Sequence, residues 1–215
     1  MKQVLIIVAF IFSINLLQAQ VLEVETIKGN VNDNDKRINL VILSEGYQET
    51  EFVKFKTDAE NLVTEMFSQS PFAEYSDYFN VHIIKVPSNE SGADHPATAT
   101  DIDETSVTPS FVDTYFNATF DAFGYHRYLY YGIDYADAAE AEAKIISVLA
   151  DNFPTYDQAL ILVNTTAYGG TGGEFPIASL SGYDLAIHEL GHSMFDLKDE
   201  YYLTNAIYYS EAINM

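Results

Sequence analysis

The sequence predicts an α/β (α+β) domain in which helices pack against a mixed, twisted sheet with an edge strand. Continuous apolar runs of the length and composition of buried strands recur along the chain. Segments between those runs repeat their apolar residues at helical spacing. At 215 residues and 48% hydrophobic content, the chain is long enough to bury one sizeable core, which excludes disorder as its main state.

Taken in order, "MKQVLIIVAFIFSINLLQAQ" sets one Lys before an apolar run and closes on Ala19, the layout of a secretory leader over residues 1–19. Residues 20–37 form a polar segment, with "NVNDNDKR" expected as a loop. The main domain is expected over 38–215. It opens with "INLVIL" (Ile38 to Leu43) as a buried strand, then a helix from about Thr50 to Phe67 on which Phe52, Phe55, Ala59, Leu62, Val63 and Met66 share a face. "NVHIIKV" (Asn80 to Val86) is a second strand. From Pro87 to Tyr135 no period dominates: one part is loop-like, and "YHRYLYYGIDY" fits strand or irregular chain equally. An Ala-rich helix then runs to Pro154, followed by "QALILV" (Gln158 to Val163) as a strand. The turn "AYGGTGG" leads to "EFPIASL", where the internal Pro176 predicts an edge strand or none. A last helix is expected from Ile187 to Leu197, with Asp184 as its N-cap.

Composition narrows the function. A formal net charge of -22 with no basic cluster argues against nucleic acid as a partner, since phosphate binding needs a positive footprint. Cysteine is absent, so disulfides, thiolate metal sites and cysteine catalysis are excluded, and any metal must be held by His, Asp or Glu. Beyond the leader no apolar stretch approaches the roughly 20 residues of a membrane span. The expected location is secreted or periplasmic, after removal of the leader.

The last helix carries the chemistry, in "IHELGHSMFDLKDEY". His188 and His192 are four residues apart and share one face, so their imidazoles can converge on one Zn²⁺ with Glu189 beside them. This is the H-E-x-x-H pattern, in which the Glu is the general acid/base for a zinc-activated water. A third protein ligand is needed. The metzincin spacing would place a Gly and a ligand where this chain has Phe195 and Lys198. Asp196 continues the helix and should overshoot the metal. Asp199 is the preferred ligand if the chain leaves the helix near Leu197 and folds back, with Glu200 and Glu211 as alternatives. Tyr201 and Tyr202 fit either oxyanion donation or packing. His82, His95 and His126 read as structural or solvent-exposed, and "DIDET" (Asp101 to Thr105) as a solvated acidic turn rather than a Ca²⁺ loop.

"HELGHSMFDLKDEY", together with "INLVILSEGY", "SPFAEYSDYFNV", "SNESGAD" and "LVNTTAYGGTGG", resembles the immunoglobulin-A peptidase family of zinc metalloendopeptidases, from about Ile38 onward. The resemblance implies a zincin-like catalytic domain with a protein or peptide substrate, His188 and His192 as zinc ligands and Glu189 as catalytic acid/base. The chain stops at Met215 and offers no Met-turn, so the domain is expected to be incomplete at its C-terminus. The competing expectation is a catalytically inactive secreted binding module that keeps the peptidase fold.

Overall fold

The computed structural model describes residues 21–199; the expected leader, and Glu200, Tyr201, Tyr202 and Glu211, lie outside them. Among the described residues the main sheet has six strands: β1 (Glu23–Lys28), β2 (Ile38–Glu45), β3 (Phe79–Lys85), β6 (Gln158–Val163), β7 (Gly170–Thr171) and β8 (Ile177–Ser179). Their order is β1-β3-β2-β6-β8-β7. The inner pairs β3-β2, β2-β6 and β6-β8 are parallel, while β1 and β7 close the two ends antiparallel. The remaining strands, β4 (Ala118–Thr119) and β5 (Tyr130–Tyr131), form a small separate ladder.

Both faces of the sheet are covered, and strand alternation decides which residue faces which layer. Val41 and Leu43 of β2, Ile84 of β3, and Ala159, Ile161 and Val163 of β6 face α3 (Tyr135–Asn152), which presents Ala138, Ala141, Ile145, Val148 and Leu149. The alternate residues Leu40, Ile42, Val81, Ile83, Leu160 and Leu162 face the opposite way. They meet Phe55, Ala59, Leu62 and Met66 of α1 (Phe52–Met66) and Ala186 and Leu190 of α4 (Tyr183–Phe195). A short helix, α2 (Phe72–Tyr75), lies between α1 and β3. Asp134 caps α3 by accepting from the N–H groups of Ala136 and Asp137, at 2.7 and 3.2 Å. None of these helices is long and apolar enough to cross a membrane.

Three expectations change. The polar segment 20–37 supplies β1, whose Val24 and Ile27 pack on opposite faces of the sheet. Pro176 does not mark the sheet edge: it precedes β8, which is paired on both sides, and the edge strand is β7 from the glycine-rich turn. α4 starts at Tyr183 after Gly182, so Asp184 sits in its first turn, where a carboxylate suits the positive helix end, rather than at the cap.

Candidate metal and catalytic centre

α4 holds the site because its two faces do different work. Ala186 and Leu190 are buried against the sheet. At 3.6 residues per turn, His188 and His192 lie about 200° further round, on the side facing away from that core. The helix ends at Phe195 because Asp196 adopts a left-handed conformation (φ 52°), and its N–H donates back to the Gly191 and His192 carbonyls. The Leu197 N–H donates to the Gly191 carbonyl at 3.3 Å, so the chain reverses at once.

That reversal returns Asp199 to the histidines. Its Oδ1 lies 3.1 Å from His188 Nε2 and 3.3 Å from His192 Nε2, and the two Nε2 atoms are 3.1 Å apart. Tetrahedral ligands at 2.0–2.1 Å from a Zn²⁺ stand about 3.4 Å from one another, so this triangle fits three corners of such a shell. His192 Nδ1 donates to the Leu197 carbonyl at 2.6 Å, which leaves Nε2 as the free donor atom and fixes the ring. Asp196 points elsewhere, into solvent, where it pairs with Lys198.

Glu189 sits beside this triangle, half-buried, and burial pushes its carboxyl above the ordinary value. His188 and His192 pull it back, and Asp199 adds to the rise. The carboxylate lies so close to Gly172 that a Cβ there would stand 2.2 Å from Glu189 Oε2. The glycine leaves Glu189 room to lie in this position. A cleft of about 450 Å³ opens over the group. One wall is backbone, Gly170 to Gly173, and the other is aromatic: Phe123, Tyr128, Tyr130 and Tyr135. A larger cavity of about 690 Å³, bordered by Pro71, Phe72, Phe79 and Phe195, gathers no cluster of His and carboxylate donors among the described residues.

The other histidines divide. His82 is buried in β3, bonded to Thr26 Oγ1 at 2.9 Å, and burial lowers its pKa, so it is a core residue. His95 and His126 are not isolated: together with Glu104 of "DIDET" and with Asp121 they form a second group of possible metal donors. Its members come from separate stretches of the irregular segment, and no spacing in the sequence announces them.

Among comparisons with known proteins, the family model described as IgA Peptidase M64 matches residues 27–214, from the end of β1 through the segment from Ile38 onward. No curated protein matches the chain.

Proposed function

The chain belongs to the IgA peptidase M64 family and is a peptidase, and from that premise we propose a secreted, zinc-dependent endopeptidase that hydrolyses protein or peptide substrates. The observation that carries the metal is the 3.1–3.3 Å triangle of His188 Nε2, His192 Nε2 and Asp199 Oδ1 with Glu189 at its side. These three residues would hold the zinc. Bound there, zinc supplies Lewis acidity, toward the attacking water and toward the scissile carbonyl.

The chain's own groups do the rest. Glu189 takes a proton from the water as its oxygen attacks the carbonyl carbon, then delivers that proton to the amine nitrogen as the C–N bond breaks. Burial suits it to both steps, because a carboxyl raised above its ordinary value is a better base and remains a usable acid. The Gly170 N–H of β7 is already taken by the Arg127 carbonyl at 3.3 Å, so an extended substrate would lie along the glycine-rich chain that continues from this edge strand beside Glu189. The leader expected from the sequence of residues 1–19 supports secretion.

The test is Glu189→Gln in purified protein, with peptide cleavage and zinc content measured together. Cleavage should fall about 10²–10⁴-fold while zinc is retained. His188→Ala with His192→Ala should lose the zinc of this site as well. Cleavage unchanged in Glu189→Gln, or zinc unchanged in the double variant, would sink the proposal, and zinc binding without any cleavage by the parent protein would favour the inactive binding module.

A further inference from the structure

Away from the cleft, four side chains with metal-ligating atoms meet in the irregular segment between β3 and α3. His95 Nε2 lies 3.3 Å from Glu104 Oε1 and 3.5 Å from Asp121 Oδ2, and His126 Nδ1 lies 2.8 Å from the same Glu104 oxygen. All four donor atoms fall within 4.8 Å of one another. Two features set this group apart from an ordinary polar cluster.

The first is charge. The Glu104 and Asp121 side chains are 2% and 0% exposed, yet among the described residues neither pairs with a Lys or Arg. Two buried carboxylates side by side are costly unless positive charge joins them. The second is an unmet acceptor: Asp121 Oδ1 is buried and receives no hydrogen bond among the described residues. Meanwhile backbone N–H groups hold neighbouring oxygens, Ala99 donating to Glu104 Oε2 and Thr98 to the same Asp121 Oδ2 that faces His95, both at 3.0 Å. The histidines are 23% and 28% exposed, so an ion has access from solvent.

We propose that His95, Glu104, Asp121 and His126 form a second metal site, one that takes a divalent transition ion, zinc foremost, and clamps the loops that build the aromatic wall of the cleft. Two imidazoles and two carboxylates are the donor set of such an ion, whereas Ca²⁺ and Mg²⁺ prefer all-oxygen shells. With four protein ligands the site is closed, hence structural rather than hydrolytic. The clamp has something to hold. Ala97, Asn117, Asp121, Phe123 and Arg127 all carry positive φ, a conformation that costs non-glycine residues energy and persists only where surroundings enforce it. Phe123, whose ring lines the cleft, is two residues from Asp121 and three from His126.

The experiment is zinc stoichiometry by elemental analysis after dialysis against trace zinc. The parent protein should hold about two ions per chain, and His188→Ala/His192→Ala about one. Adding His126→Ala or Glu104→Gln to that double variant should remove the second ion, with folding followed by circular dichroism. Should those variants unfold, Co²⁺ added to the double variant decides instead: visible d–d absorption of an N₂O₂ site supports the proposal. A double variant that holds no stoichiometric zinc and gives no such absorption overturns it.

Discussion

At the scale of single residues, the candidate site was legible where one helix turn brings its parts together and opaque where the chain must bend. His188, Glu189 and His192 could be grouped from spacing alone, because an α-helix converts four residues of separation into one shared face. Asp199 could be reached only by assuming a chain reversal, which the structure supplies through Asp196 and the Leu197 backbone. Gly172 could not be found at all: its importance is a contact with Glu189 made across the fold. This contact gives a prediction. Gly172 is not in the left-handed region, so Ala fits the backbone there. The new Cβ meets only the far end of Glu189, which can swing aside. Gly172→Ala should therefore fold and bind zinc normally but lose about 100-fold in kcat, since a misplacement near 1 Å at the reacting group costs that much. Kinetics beside zinc content and a melting curve check it, and an unchanged kcat would mean that Glu189 works from another rotamer.

At the scale of elements, β2, α1, β3, α3 and β6 were legible because burial writes a period into them: solid apolar runs for strands covered on both faces, and 3.6-residue spacing for the helices. The segment between β3 and α3 carries no period because side chains and short, scattered backbone pairs rather than long ladders hold it. Glu45 receives the Phe116 and Ala118 N–H groups at 2.9 Å each, Asp94 the Val112 N–H at 2.6 Å, and Ser88 those of Gly46 and Tyr115. β1 escaped notice for a different reason. Its "EVETIK" spends alternate positions on charge, and those charges tie it down: Glu25 pairs with Lys56 of α1 and, at 3.1 Å, with Lys85 of β3. The Lys56 hydrogen bond leads the effects on the Glu25 carboxyl; burial opposes it, and the Lys85 hydrogen bond with the charge of both lysines keeps the carboxyl below its ordinary 4.5. A carboxyl lowered on folding stabilises the fold above its unfolded pKa, and that contribution disappears as pH falls through the folded value. Glu25→Gln should cost about 0.2–1 kcal/mol at pH 7, the range of exposed ion pairs. The gap to the parent protein should close as pH drops below 4.5 and shrink in high salt. Denaturant titrations across pH would refute this if the gap were constant.

At the scale of the whole molecule, acidity and metal binding have to be weighed together. A chain with 32 Asp+Glu against 10 Lys+Arg repels itself at neutral pH, so any cation screens it, and a melting temperature that rises with added zinc proves nothing by itself. Specific sites differ from screening in two respects: they saturate, and they choose. An ion that binds only the folded state stabilises it by about 2.7 kcal/mol at one hundred times its Kd. For a domain of this size, that corresponds to a rise of about 5–10 °C per filled site. Chelation with EDTA should accordingly lower the melting temperature of the parent protein by at least one such step, at constant ionic strength. Zinc should restore it at stoichiometric levels, while Mg²⁺ at equal concentration should not, because His188 and His192 offer nitrogen where Mg²⁺ prefers oxygen. In His188→Ala/His192→Ala the step caused by the cleft must vanish, and whatever chelator-sensitive stability remains belongs to the group around Glu104 and Asp121. Calorimetry that finds the same melting temperature with and without EDTA in the parent protein would place the whole cation effect in surface screening, leaving neither cluster as a metal site.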